Sequence, residues 1–330
     1  MKASPPFTDG ERRSHIKTYL RHAEQSPWLT LDPSRGHEAP APMRELASLM
    51  RGLVAIAESD GPDSGAARDL AAELGGVVLA ISDASDFSGA PFPTWRRRGG
   101  RLGRLSDAAL SALEACGELE TAVRGGWVLL TERPEEHFFD TGLVGEAMVE
   151  LHTVTEDERF LAWAEAAGDW LAEQPVSPNF NYNAFPAFLH LALFDDTGEA
   201  VHLQRAAGRL ERGVLPGMIA TGADAGHWVD PHNERLVYRA IMARTLAVAA
   251  REGKKLEPAA RLATEAIAEQ LARDGHSIPE EIVELCEALG SDRSPAAEAV
   301  CDRAHSFART AIRDGKGTLS AATAYALLAD

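Results

Sequence analysis

A self-similarity between residues 139 and 275 constrains this chain more than any other feature. FFDTGLVGEAMVELHTVTEDERFLAWAEAAGDWLAEQ reads as helix, tight turn, helix, and NYNAFPAFLHLALFDDTGEAVHLQRAAGRLERGV reads the same way. A shift of about 42 residues lands Leu151 on Leu193, Thr155 on Thr197, Leu161 on Leu203 and Ala164 on Ala206. A third copy, from His232 to about Ala272, comes into register after a shift of about 55. Leu191 then meets Leu246, Gly198 meets Gly253 and Val201 meets Leu256, with the extra residues placed around Thr221 to Pro231. Self-similarity at this spacing means stacked helical hairpins that bury their apolar faces against one another. The first helix of each copy is apolar on most sides and the second carries a charged stripe, so the first set is expected inside and the second outside.

Helical periodicity continues beyond the repeat. Met43 to Ser59 carries Leu46, Leu49, Met50, Leu53, Val54 and Ile56 at helical spacing. SDGPDSG breaks the pattern, and Asp63 or Ser64 can cap a helix over Ala66 to Ile81. Gly, Pro and Ser make Ser82 to Arg104 a long loop. A helix from Ser106-Asp107 to about Val123 follows, then the extended connection GGWVLLTERP. Ile278 to Leu289 and Pro295 to Arg313 read as a late pair, with Thr318 to Leu328 closing or capping the set.

The reading is all-α: about twelve helices in six hairpins, with an N-terminal extension over 1–42 (one helix and a loop) and a single domain over 43–330. The phrase ELHTVTEDERFLAWAEAAGDWL resembles the inner-turn-outer signature of the six-hairpin glycosidases, whose fold is the (α/α)6 toroid. The resemblance spans about residues 40 to 315 and is clearest from 139 to 275. It implies an inner and an outer ring of helices, with the loops that enter the inner helices converging on one face. Among such proteins, the pattern around Asp140-Thr141-Gly142-Leu143 is most similar to unsaturated glycuronyl hydrolases, in which an aspartate at an inner-helix entrance is the acid/base.

Composition excludes some alternatives. A net charge of −17 repels a nucleic-acid backbone. No apolar run is long enough to span a bilayer, and the N-terminus MKASPPFTDGERR has no signal-like apolar core, so a cytoplasmic chain is expected. Cys116, Cys286 and Cys301 form no CxxC, and each sits within a helical pattern, which reads as reduced, buried and structural.

Three helix entrances hold the candidate site residues, because free N–H groups and a partial positive charge collect there. In HFFDTG, Asp140 is expected just before its helix, where Phe138 and Phe139 could desolvate it for general-acid work; a helix cap explains the same residue. In NFNYNAF, Asn181, Tyr182 and Asn183 suit sugar hydroxyls and pyranose faces, with Asn183 also a cap. In GHWVDPHNERLVYR, Asp230-Pro231 reads as cap and first turn. His227 and His232 are candidate catalytic groups beside Asp230, while Trp228 is a candidate stacking platform and Asn233, Tyr238 and Arg239 candidate ligand contacts. Trp95, ahead of three arginines in the long loop, could lie over the cavity and help to hold an anionic group.

The resemblance implies a glycoside hydrolase acting on an anionic, uronate-type sugar, with Asp140 as general acid/base and Asp230 as the second carboxylate. A polysaccharide lyase or sugar epimerase would draw instead on Asn183, His227 or His232, Tyr238 and Arg239. A non-catalytic ligand-binding or interaction toroid is the third reading, since fold does not fix function. His227, Asp230 and His232 are possible metal ligands but lack an HExxH or Cys/His framework, so no metal or other cofactor is expected. The expected partner is a small molecule or oligosaccharide.

Overall fold

The computed structural model describes residues 4–30, 43–85, 108, 111–117, 135–274, 277–290 and 294–329. Among them the only β-type pairing is an isolated bridge between Met218 and Trp228; the rest of the regular structure is helical. The helices are α1 (Asp9–Glu24), α2 (Met43–Glu58), α3 (Ser64–Ser85), α4 (Glu135–Thr155), α5 (Glu158–Glu173), α6 (Ala184–Thr197), α7 (Ala200–Gly213), α8 (Leu236–Glu252), α9 (Glu257–Asp274), α10 (Glu280–Leu289), α11 (Pro295–Arg313) and α12 (Ala321–Leu328). Residues 111–116 are also helical. The chain divides into two compact units, Leu20–Gln174 and the combination of Met1–Tyr19 with Pro175–Asp330.

In the unit Leu20–Gln174, α2 packs on both α3 and α4, and α4 pairs with α5. α2 is apolar nearly all round: from Leu49 to Ala57 every residue is buried. α5 buries only the stripe Phe160, Ala164, Ala167, Gly168 and Leu171. The second unit repeats this plan. α6, α8, α10 and α12 follow one another as packed neighbours, while α7, α9 and α11 pair with α6, α8 and α10 respectively. α6 is buried from Ala184 to Leu191, whereas α7 buries a stripe of His202, Ala206, Arg209, Leu210 and Gly213. Each unit is therefore a two-layered arc of hairpins, with the more apolar helix of each pair on the layer that contacts its counterparts. An all-round apolar helix must be covered on most sides, and a striped one on a single side.

The repeat holds at the level of individual hydrogen bonds. Thr155 Oγ1 donates to Leu151 O at 2.7 Å, and Thr197 Oγ1 donates to Leu193 O at 2.7 Å. The same hydroxyls then accept from Asp157 N (3.3 Å) and Glu199 N (3.2 Å) at the start of the next helix. Between them the chain reverses through a left-handed residue: Gly198 at φ 71° in one copy and Glu156 at φ 57° in the other. Glycine adopts this conformation without strain, and glutamate does not. At the third copy Gly253 is extended, at φ −151°, and a 3-10 turn (Lys254–Leu256) makes the connection.

Several boundaries differ from the sequence expectation. α3 runs on through Ser85, so Ser82 is the helical partner of Trp163, accepting its Nε1–H at 2.6 Å, rather than the first residue of a loop. Trp95, the arginines after it and the GGWVLLTERP connection lie outside the described residues. Asp140 does not precede α4; it is inside it, beyond the first turn that begins at Glu135. α8 begins at Leu236 rather than at Asp230-Pro231, because residues 231–234 form a separate turn. Cys116 is exposed, contrary to the buried reading, and only Cys286 is fully buried.

Candidate functional site

The three predicted entrances have different fates. Asp140 is 1% exposed, and Arg44 of α2 contacts it at 3.2 Å from Oδ1 and 3.4 Å from Oδ2. Arg44 also lies over the Phe139 ring at 5.2 Å. Asp140 thus clips α4 to α2. A parallel clip lies further along the same two helices, where Arg51 meets Glu146 at 2.9 Å and Glu150 at 3.1 Å.

The NFNYNAF segment folds into a 3-10 turn (Phe180–Asn183) leading into α6. Asn183 does not cap that helix with its side chain. It is a latch: its Oδ1 accepts Ser177 N at 3.0 Å, and its Nδ2 donates to Ser177 O, Asn179 O and Gly213 O at 2.9, 3.2 and 3.0 Å. Its hydrogen-bonding capacity is spent on the loop. Tyr182 is half-buried on the same turn.

The loop before α8 is the third entrance. Gly226, at φ 83°, brings the backbone against α9: a Cβ there would lie 2.2 Å from Leu262 O. Trp228 is 1% exposed and donates Nε1–H to Val214 O at 3.0 Å, so the structure places it in the core rather than on a ligand-facing rim. Asp230 closes its own turn, accepting His232 N at 2.9 Å and Asn233 Nδ2 at 2.8 Å. Asn233, fully buried, accepts Asn181 N at 3.1 Å and Asn181 Nδ2 at 2.8 Å. Asp230, Asn233 and Asn181 therefore form one chain that staples the 3-10 turn to the α8 loop. His227 Nδ1 lies 3.3 Å from Glu234 Oε1. His232 stacks on Tyr238, with centroids 4.6 Å apart and planes 25° from parallel.

Around the first turn of α8 this staple leaves polar atoms unmet. Asn181 Oδ1, His232 Nε2, and Nε and Nη2 of Arg239 are sealed from solvent and have no hydrogen-bond partner among the described residues. The Asn181 amide cannot simply be turned over, because its Nδ2 also donates to Asn179 Oδ1 at 3.0 Å and both of its contacts there are acceptors. Arg239 is 1% exposed and, among the described residues, spends only Nη1, on Gln270 Oε1 of α9. Burial lowers the guanidinium to about 10, with Arg273 lowering it further and Glu234 opposing. It remains a cation at neutral pH. Buried polar groups are nearly always satisfied, and a buried cation with two idle donors is costly. Of these groups Arg239 is the one charge, and the Nε and Nη2 edge of a guanidinium is a planar pair of donors that matches a carboxylate.

Among the described residues no group of three or more His, Cys, Asp or Glu is placed to hold a metal ion, and no helix is long and apolar enough to cross a membrane. Elsewhere in the same unit a cleft of about 260 Å³ lies among α10, α11 and α12, walled by Val283, Phe307, Ala311 and Ile312 with Glu280 and Lys316 also lining it. Comparison with protein-family models, with curated proteins and with solved structures finds no match for this chain.

Proposed function

We propose that the chain is an (α/α)6-type helical toroid that binds a small anionic, hydroxyl-rich ligand of the uronate-sugar class at the first turn of α8, with Arg239 meeting the carboxylate. The two arcs of alternating apolar and striped hairpins support the architecture. The observation that carries the binding reading is Arg239, 1% exposed with Nε and Nη2 unpartnered among the described residues. An incoming carboxylate would satisfy both donors at once, and Asn181 Oδ1 and His232 Nε2 would take hydroxyls beside it. These atoms are sealed, so the ligand reaches them through a local opening.

Among the chemistries open to such a site, the geometry favours the lyase form over the hydrolase form. Asp140 is engaged by Arg44, and Asp230 is engaged by His232 N and Asn233. A lyase needs neither carboxylate. Arg239 would neutralise the uronate carboxylate, which acidifies the C5 proton; Tyr238 or His232 would accept that proton. The C5 electron pair becomes the C4–C5 double bond as the C4–O bond breaks, and the departing oxygen takes up a proton.

Calorimetry with glucuronate, galacturonate and glucose tests the binding step on wild type and Arg239→Met. The expected result is uronate binding, no glucose binding, and a loss of about 10–100-fold in Arg239→Met, the worth of hydrogen bonds to a charged group. The variant should melt no lower than wild type, because it removes an unsatisfied buried charge. Equal binding of glucose, or unchanged affinity in Arg239→Met, overturns the reading. Incubation with polygalacturonate separates the chemistries: a lyase yields the ultraviolet absorbance of the new double bond, a hydrolase yields reducing ends without it, and a binding protein yields neither.

A further inference from the structure

The segment ahead of α1, Ser4-Pro5-Pro6-Phe7, is tied to α11. Ser4 N donates to Ser306 Oγ at 2.7 Å. Arg309 donates to Ser4 O from Nε at 3.3 Å and from Nη2 at 3.1 Å. Arg313 donates to Pro5 O and Pro6 O at 3.0 and 3.2 Å, and its Nη1 reaches the Ser4 hydroxyl oxygen at 2.5 Å. The same guanidinium lies over the Phe7 ring, 4.6 Å from its centroid. Two prolines in a row have no N–H to give, so the segment offers carbonyls, and the arginine forks meet them.

Two cations are thus spent on neutral oxygens. Arg309, 7% exposed, hydrogen-bonds only Ser4 O among the described residues. Arg313 has a carboxylate, Glu11, at 3.4 Å, and that side chain is 43% exposed. Burial and the neighbouring Arg313 lower the Arg309 guanidinium, with Asp302 opposing. The strong partners of a guanidinium are carboxylate and phosphate groups. The chain holds four Ser-Pro dipeptides, at Ser4, Ser26, Ser177 and Ser294. Ser26 and Ser177 are buried, and Ser294 caps α11 by accepting Ala297 N at 3.2 Å. Ser4 is half-buried, with an arginine on its hydroxyl.

We propose that Ser4 is a phosphorylation site whose phosphate is received by Arg313 and Arg309. The reaction is phosphoryl transfer from a nucleoside triphosphate on a proline-directed protein kinase. The Ser4 Oγ–P bond forms, the bond from the γ-phosphorus to its bridging oxygen breaks, the nucleoside diphosphate leaves, and the hydroxyl proton passes to the kinase's base. Pro5 keeps Ser4 in extended backbone, the form that a peptide groove accepts. Phe7, 5% exposed, anchors the far end of the segment, so residues 4–6 can lift to a kinase while it stays in place. The phosphate brings about 1.5–2 negative charges at neutral pH. Back on α11, that charge stands beside two guanidiniums, and Arg313, with its side chain 26% exposed, has room to turn onto it. Bonds from arginine to neutral oxygens become charge-assisted ones, and the start of α1 is held to α11 more tightly.

The test treats the full chain with a proline-directed serine kinase and ATP, followed by digestion and mass spectrometry. Phosphate should be found on Ser4 ahead of Ser26, Ser177 and Ser294. Phosphorus NMR then titrates the phosphoserine in the folded chain and in urea. The midpoint should lie about 1 pH unit lower in the folded chain, because nearby cations favour the dianion. The phosphorylated chain should also melt higher than the unmodified one, by a margin that shrinks as salt is raised. In Arg313→Gln the downward shift of the midpoint should lessen. A bare Ser4 after kinase treatment, the same midpoint in the folded chain and in urea, or a lower melting temperature after phosphorylation overturns the proposal. The comparison of folded with urea-treated chain needs no substitution, so it stands even if Arg313→Gln does not fold.

Discussion

Replacing Arg51 with Met is the sharpest test of what holds the unit Leu20–Gln174 together. Arg51 and Glu146 are 2% and 0% exposed and lie 2.9 Å apart, with Glu150 at 3.1 Å and its side chain 27% exposed. Methionine keeps most of the volume and removes the charge, leaving Glu146 as a buried carboxylate. Removing one partner from a buried pair costs about 3–5 kcal/mol, because the desolvation of the survivor is no longer offset by the attraction across the 2.9 Å contact. For a unit of this size that is a fall of roughly 6–20 °C in Tm. A surface pair serves as the comparison: Arg261 and Glu265, 66% and 49% exposed and 3.9 Å apart, should cost only about 0.3–0.5 kcal/mol in Arg261→Met. Urea unfolding followed by circular dichroism measures both. The double variant Arg51→Met with Glu146→Met should recover most of the loss, since an apolar pair of similar volume replaces an ionic one. The reasoning is refuted if Arg51→Met loses no more than Arg261→Met. It is also refuted if the double variant is as unstable as the single one, for then packing rather than the lost ion pair set the cost.

Two further changes probe charge and turn geometry. Burial raises Glu281 from 4.5 to about 7, with Glu284 and Glu280 adding to the rise. Its folded value exceeds its unfolded one, so folding favours the protonated acid; stability is fullest below pH 4.5 and declines as pH rises to about 7. Glu281→Gln should flatten that slope and stabilise the protein above pH 7 by roughly 2 kcal/mol after allowance for partial screening, and thermal melts across this window that kept the wild-type slope would contradict it. Glu156→Gly should stabilise the chain by roughly 0.5–1 kcal/mol, because the left-handed turn that Gly198 adopts freely is strained for glutamate; a drop in the urea midpoint would show that the Glu156 side chain contributes more than its backbone costs.

Much of the fold is legible in the sequence because the repeat is physical before it is statistical. A helix that buries one stripe and a helix buried on most sides have different compositions, so α5 and α6 are distinguishable without coordinates. The turn is legible as well: Thr155 and Thr197 occupy equivalent positions because each hydroxyl closes one helix and receives the first amide of the next. The candidate site is less legible. Polar residues crowd a helix entrance whether they serve a ligand or the chain itself. In GHWVDPHNERLVYR, Trp228, Asp230 and Asn233 serve the chain: one fills the core, one closes a turn, and one staples two loops. Asn183, expected as a cap or a sugar contact, does the same for the segment before α6. No local spacing rule separates these cases, because beside their near neighbours Asn181 also meets Asn233, 52 positions on, and Asn183 meets Gly213, 30 positions on.

Sequence alone determined the helical hairpins, their order, their apolar and striped faces and the location of the long insertion before α8, all of which follow from periodicities of a few residues. Tertiary structure decided which polar groups remain unsatisfied after the chain has served itself. Arg239 could be named from sequence as a ligand contact, but that it is buried, and among the described residues engaged only through Nη1, depends on Gln270 of α9. Hydrophobic patterning is written locally because each helix needs its own face. Hydrogen-bond satisfaction is a property of the packed whole, because it depends on what the last neighbour brings.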